Sequence, residues 1–426
     1  MNGSPAPGSA AHPDGHEPMA PAAPLPDPPP ALRILNPNFI KLFVGVNCFM
    51  TSMSMFNLLP YYLELRGASP DRYGLVAGAM GVSNFVFLVL FGRHADRWSR
   101  KFTVSVYMTA AFAGNLAAIW AMHSALEWYI VVRALHGLYM GLGFPLVFAW
   151  AVETGPHPQR FVVLSWMGIA GIFANSMGPT LAEFVLSAQP NPRDPDAFLG
   201  VFLLALAFQV AAWLVFFTVD DRRPAPVASG AGGLWPLLRR PESALLLAVD
   251  FAFGGLFGSL MSFGKNYAAS LALDHVSLLL WAYSAGAIAS RVFIRRISSR
   301  IPEQHLAPLG LAGLAVAFMT LGLARGYGML ICAGLLYGFS HGILYPTLYV
   351  RFIDYQEPDQ GGRASTLYQG SFSVGWGFFP LVGGMLIHAA GFTAYFSLLG
   401  AVAGAGILVY LLGERSRAQR RTPAGG

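Results

Sequence analysis

The sequence predicts an all-α membrane protein, with twelve transmembrane helices arranged as two pseudo-symmetric six-helix bundles. Three observations predict it. Apolar blocks of about 20 residues recur from Phe39 to Leu412, and about 20 helical residues cross a hydrocarbon layer of roughly 30 Å. The 426 residues are 55% hydrophobic and only 11% charged, with a mean hydropathy of +0.51, whereas a soluble domain of that length carries far more charge. Finally, glycines and prolines repeat at a nearly fixed offset between the first and second halves of the chain.

In chain order, residues 1–36 come first. They are rich in Pro and Ala, and the first 30 hold no Lys or Arg and no apolar core. A signal peptide needs both, so a disordered cytoplasmic tail is expected. Predicted spans follow at 38–62, 73–91, 102–122, 128–152, 161–187 and 198–219, within an N-terminal bundle over 37–219. Residues 220–243 are the longest interior break. They open on Asp220-Asp221-Arg222-Arg223-Pro224 and read as a cytoplasmic linker. The C-terminal bundle, 244–413, holds spans at 244–267, 276–294, 305–324, 328–350, 365–388 and 392–413, and a basic cytoplasmic tail, 414–426, follows.

The net charge of +6 invites a nucleic-acid reading. Its distribution argues against one. With a cytoplasmic N-terminus, Arg33, the cluster Arg93/Arg97/Arg100/Lys101, Arg160, Arg222, Arg223, Arg239, Arg240, Arg295, Arg296, Arg300, Arg351, Arg363 and the arginines of the last tail all fall on one side. The other side holds Arg66, Arg72, Arg193 and Arg325. This is the positive-inside bias of a membrane protein. Both termini are expected in the cytoplasm, with a bacterial cytoplasmic membrane as the location. Cys48 and Cys332 both fall inside spans, so no disulfide framework is expected.

The halves look duplicated. Gly137, Gly141 and Pro145 in span 4 match Gly338, Gly342 and Pro346 in span 10, each 201 positions on, and Pro179 matches Pro380 at the same offset. The break after span 2 matches the break after span 8 at 203. Internal repeats of this kind are common in transporter folds.

The break after span 2 reads Gly92-Arg93-His94-Ala95-Asp96-Arg97-Trp98-Ser99-Arg100-Lys101. It resembles the loop 2–3 signature of the major facilitator superfamily, Gly-x-x-x-Asp-Arg-x-Gly-Arg-Arg/Lys, departing at Ser99. The resemblance covers about residues 37–413. It implies a secondary transporter in which this loop latches the cytoplasmic face. On that implication Gly92, Asp96, Arg97 and Arg100 form the latch, with Glu153 at the end of span 4 bonding its arginines. The plain alternative for Arg100 and Lys101 is topology alone. Arg351 and Asp354 hold the corresponding place in the second half.

Arg133-Ala134-Leu135-His136-Gly137 resembles a second signature of that superfamily, Arg-x-x-Gln-Gly-x-Gly, with His136 for Gln and Tyr139 for the later Gly. The resemblance associates Arg133 with proton coupling or with anionic groups; a snorkelling arginine is the alternative. His136 is a proton relay or a packing histidine, and both readings stand. The run Ala174 to Glu183 resembles the span 5 signature of efflux antiporters, keeping Gly178 and Pro179. Export over uptake is the resulting expectation.

Polar side chains within spans point to a pathway. Asn47, Thr51 and Ser54 share one face of span 1; Tyr337, His341 and Tyr345 share one face of span 10; Gln369, Ser373 and Trp376 lie on span 11. Together they are expected to line a cavity, although an intramembrane Ser or Thr often bonds its own backbone. Span 7 carries Asp250 and Lys265, too far apart to pair at about 22 Å of helix rise. Asp250 is the first choice for proton coupling, since a buried carboxyl without a cation readily takes up a proton. Glu183 is the second. Lys265 with Arg133 would make a cationic outer vestibule, and Arg291, near the inner end of span 8, is expected to snorkel.

No P-loop, Cys/His metal spacing or nucleophile elbow occurs. An enzyme is therefore not expected, nor is a cofactor, the proton gradient serving as energy source. The reading is a monomeric secondary transporter of a small organic solute that exports by proton antiport. Uptake by symport is the runner-up, and a non-transporting membrane sensor on the same fold is the alternative from another class.

Overall fold

The computed structural model describes residues 36–91, 98–154, 160–221, 235–298, 300–356 and 361–421, together with Gly3. Most of the expected N-terminal tail, the centre of the linker and the latch residues Gly92, Asp96 and Arg97 lie outside them.

Helices account for nearly all of the rest. The first bundle holds α1 (Pro37–Leu65), α2 (Pro70–Phe91), α3 (Arg100–His123), α4 (Trp128–Thr154), α5 (Arg160–Ser187) and α6 (Pro195–Phe217). The second holds α7 (Pro241–Ser270), α8 (Ser277–Ser298), α9 (Glu303–Gly322) and α10 (Tyr327–Asp354). It ends in a helical stretch, Gly361–Arg421, that turns at Gly391. Gly391 has φ of +79°, which an L side chain resists and glycine does not. The turn separates α11 (361–390) from α12 (392–421). Ten helical stretches are long and apolar enough to cross a membrane; the last is two helices, and Ser277–Phe293 in α8 is a shorter apolar helix. That accounts for twelve crossings among the described residues. Lipid-facing apolar side chains such as Phe184, Leu214, Val292 and Leu408 stay bare.

Local chemistry sets the ends. Asn36 caps α1, its Oδ1 accepting from the Phe39 amide at 2.9 Å, with Pro37 in the first turn. Ser99 caps α3, its Oγ accepting from the Phe102 amide at 3.3 Å. The residue that departs from the loop 2–3 signature thus does a capping job that glycine cannot. In α4, Tyr139–Gly143 widens into a π turn just before Pro145, because proline has no N–H and its ring crowds the carbonyl four residues back.

Two boundaries differ from expectation. The segment 414–426, expected as a tail, is helical as far as Arg421. Glu414 accepts from Arg351 at 2.6 Å and from the Tyr355 hydroxyl, and Arg417 stacks over the Tyr355 ring at 4.2 Å. These contacts extend α12 beyond membrane length. Helix α7 starts at Pro241 rather than 244, since Pro suits a first helical turn.

The duplication is legible in the packing. A Cβ on Gly137 would meet the Met80 carbonyl and the Asn84 nitrogen; one on Gly338 would meet the Tyr283 carbonyl and the Ala287 nitrogen. The glycines are 201 apart and both sets of partners 203 apart. Gly178 fits against Ser54, while 201 residues on Phe379 fills the space beside Gly255. Large and small have changed places across one conserved contact.

The bundles meet most closely at the end opposite the basic residues, called here the far end. Gly74, Gly78 and Gly81 of α2 face Gly384, Pro380 and Gly377 of α11 backbone to backbone. Toward the basic end the same pair separates, and Gly370 meets only the Phe85 and Leu88 side chains, at 3.4 Å or more.

Candidate functional site

Aromatic rings from α7, α8, α10 and α11 surround His341. Phe253, Phe257 and Tyr283 lie with ring centroids 5.1, 4.9 and 5.6 Å from it, and Tyr337 and Tyr345, one turn to either side on α10, at 6.1 Å. The Tyr283 hydroxyl is 3.3 Å from His341 Nδ1. Trp376 of α11 meets Phe257 edge-on at 4.9 Å. Of the six cavity positions expected on α10 and α11, Tyr337, His341, Tyr345 and Trp376 belong to this cluster, and nothing places the Gln369 side chain in it. Ser373 does not belong to it: its hydroxyl donates to the Gln369 carbonyl in its own helix at 2.8 Å.

Asp250 sits one turn before Phe253 and is fully buried. Neither carboxyl oxygen has a hydrogen-bond partner among the described residues. The hydroxyls of Tyr368 and Ser371 and the Phe372 amide are its polar neighbours, but Ser371 donates instead to the Leu247 carbonyl at 2.8 Å. A buried carboxylate left in this state is costly.

The first bundle is tied more tightly. Asn47 and Ser54 donate to the Ala170 and Ala174 carbonyls of α5, at 3.3 and 2.7 Å. They join α1 to α5, and Thr51 alone of that stripe keeps a buried hydroxyl without a partner. His136 Nε2 lies 3.1 Å from Asn115 Oδ1, whose amide nitrogen reaches Ser52 at 3.2 Å. This chain runs through the bundle interior, with Phe56 packed edge-on over the imidazole at 4.5 Å. Arg133, one turn away, is 5% exposed and its Nε has no acceptor.

Glu183 and Lys265 meet each other, against the expected cationic vestibule of Lys265 with Arg133. Lys265 Nζ donates to Glu183 Oε1 at 3.0 Å, across the two bundles, and both side chains are buried. Glu183 also accepts from the Val276 and Ser277 amides at 2.8 and 3.3 Å, at the start of α8. It is therefore no isolated carboxyl, and Lys265 is no partner of Arg133 in a cationic vestibule: an acidic neighbour claims it. Further inter-bundle bonds cluster here. Asn266 donates to Glu64, Trp281 to Thr180 at 2.9 Å, and Asp71 meets His388 at 2.8 Å. Ser176 and Ser284 close the middle of the interface at 2.7 Å. The described molecule is clasped at its far end.

A family model described as Major Facilitator Superfamily matches residues 42–355 and 267–426. The chain belongs to the major facilitator superfamily. It is 22% identical over 411 residues to the mouse MFS-type transporter SLC18B1, covering 89% of this chain and 87% of that one. It is 22% identical to the riboflavin transporter RfnT of Brucella anthropi, covering 68% and 71%. An uncharacterized MFS-type transporter of Enterobacter sp. is 24% identical, over 43% of this chain and 46% of its own, so that match spans about half of that relative. Among solved structures, the nucleoside transporter NupG has the same fold, with a TM-score of 0.70 at 13% identity over 90% of this chain and 99% of that one. The peptide-family transporter PepTSo gives 0.72 at 13% identity, over 90% and 98%. As a major facilitator protein the chain is an integral membrane secondary transporter and not an enzyme.

At the basic end of this major facilitator fold, Arg100 reaches Glu153 Oε1 at 2.8 Å through Nη2 and at 3.2 Å through Nε. The pair joins α3 to α4, as the sequence suggested for Glu153. In the second half Arg351 pairs with Glu414 and not with Asp354, whose carbonyl accepts from Arg417 at 3.3 Å. Arg291 does not snorkel outward: its guanidinium lies against Gly168 of α5, and its Nη1 is buried without an acceptor. Hydropathy could not reveal this, because two turns from a helix end a lipid-facing and an inward-facing arginine look alike. The signal available was Gly168 itself, a gap on the facing helix.

Proposed function

We propose that the chain exports a small organic solute by proton antiport, with Asp250 as the coupling carboxyl. The observation that carries this reading is a fully buried carboxyl without a hydrogen-bond partner, beside an aromatic cluster, in a fold of two bundles closed at one end. A proton binding there shifts the balance of two conformers only if it binds one of them better. Burial provides that difference, since the charged form is tolerated only where water reaches it. The Glu183–Lys265 pair holds the far end shut in one conformer; the loop carrying Asp96 and Arg97, outside the described residues, is the proposed latch of the basic end in the other. The Gly178–Pro179 run supports the outward direction. Basic residues on one face support a cytoplasmic location of both termini and of the open end.

The test is transport by the purified protein in liposomes with an imposed pH gradient, using solutes found by a thermal-shift screen. Wild type should accumulate a hit against its gradient when the proton gradient opposes it. Asp250→Asn should abolish accumulation and leave counterflow within about threefold, because counterflow needs no proton movement. Accumulation by Asp250→Asn at the wild-type rate assigns coupling elsewhere. Hits that bind without exchanging would mean a sensor.

A further inference from the structure

Arg291 is a cation without a counter-ion. It has no hydrogen-bond or ion-pair partner among the described residues, and its Nη1 is shut off from solvent. Lys265, on the neighbouring helix of the same bundle, shows the contrast: its charge is met by Glu183. A guanidinium nitrogen withdrawn from water without an acceptor is unfavourable, and an anion arriving beside it would complete the site.

Its position faces the other bundle. A Cβ on Gly168 of α5 would stand 3.0 Å from Nη1 and 3.1 Å from Nη2. A larger residue there would push the head group back. One turn further along α5, a Cβ on Gly171 would meet nothing within 4 Å. The guanidinium thus spans the gap between bundles with free room beside it. It is within electrostatic reach of Tyr283, Tyr345 and His341, and so of the aromatic cluster.

The unmet polar atoms of that cluster have one character. Arg291 Nη1 and Trp376 Nε1 are buried without acceptors, as is the Tyr337 hydroxyl. Arginine and tryptophan nitrogens can only donate, and tyrosine donates readily. Asp250 supplies the opposite sign, but once protonated its carboxyl donates as well. A cluster of donors on an aromatic wall is complementary to a solute that brings acceptors and negative charge on a flat apolar body. Rings then stack on the body while the guanidinium takes the anion in a two-pronged contact.

We propose that Arg291 is the anion-binding residue of the cavity and that the solute is an organic anion with a planar apolar body. This rests on the transport reading above. The test uses the full-length protein with 1-naphthoate and benzoate as probes and their uncharged amides as controls. Binding is read by tryptophan fluorescence in nanodiscs and exchange by counterflow in liposomes. Wild type should bind at least one of the acids about tenfold or more tightly than its amide, the loss expected when a charged hydrogen bond goes unmade. Arg291→Gln should weaken acid binding by about the same factor, leave amide binding unchanged, and be partly rescued in Arg291→Lys. Gly168→Leu, which crowds the head group without touching its charge, should weaken the acid too; with Arg291→Lys it carries the test if the glutamine variant fails to fold. Equal binding of acid and amide, no binding of either acid by wild type, or indifference to Arg291→Gln overturns the proposal. Arg291-dependent binding without exchange contradicts transport and leaves the anion site standing. Exchange that ignores Arg291→Gln does the reverse.

Discussion

At the residue scale, the molecule contains intramembrane charges of two kinds. Glu183, Lys265, Arg100 and Glu153 are paired, whereas Asp250, Arg291 and Arg133 have no partner among the described residues. Removing one member of a buried ion pair costs on the order of 3 kcal/mol. Because Glu183 and Lys265 lie on different bundles, that loss falls on the conformer and not on the fold of either bundle. Glu183→Gln should therefore favour the state open at the far end by up to about a hundredfold. Spin labels at the exposed residues Gln189 and Arg325 should report a longer distance population in the variant; an unchanged distribution would reduce the pair to a surface ornament. The sequence placed Glu183 and Lys265 near the same end of their spans but had no means of facing them toward each other. Helix rotation about its own axis is set by packing, which composition does not encode. Asp250 was easier: a lone carboxyl far from any cation on its own helix stands out whichever way it points.

At the element scale, glycine carries the interface. Gly81 of α2 packs so closely that a Cβ would lie 2.3 Å from the Gly377 nitrogen of α11. Backbone cannot give way as a side-chain tip does. Gly81→Leu should exclude the far-end-closed conformer and reduce counterflow at least tenfold, while the protein still inserts and elutes as wild type. Normal exchange by this variant would show that α2 and α11 need not close here. The fixed spacing of Gly137 and Gly338 made the duplication legible, since each admits the backbone of the second helix of its half. The π turn of α4 was not legible beforehand. It follows from Pro145, but its counterpart Pro346 sits in α10 without one, and the two prolines read the same in sequence. The helical extension through Arg421 also escaped notice, because its stabilising partners Arg351 and Tyr355 lie about sixty residues away.

At the scale of the whole molecule, two bundles are held at one end and parted toward the other, the arrangement of one half of the proposed alternating cycle. The hydrogen bonds between bundles run from the middle, at Ser176 and Ser284, to the far end, at Asp71 and His388. The other half of the cycle must break these and join the basic ends. The all-helical membrane fold was readable from apolar blocks, since lipid enforces long apolar helices, and the family from one loop motif. The conformer was not, because hydropathy and motif spacing do not say which end of two bundles is closed. The most direct test is a pair of spin-label distances in nanodiscs between pH 5 and 8. One spans the far end, Gln189 to Arg325; the other spans the basic end, Thr218 to Arg300. Two populations should appear at each end, with the far-end distance lengthening as the basic-end distance shortens, and Asp250→Asn should remove the pH dependence of their ratio. Single distances at both ends that ignore pH and added solute would contradict an alternating transporter.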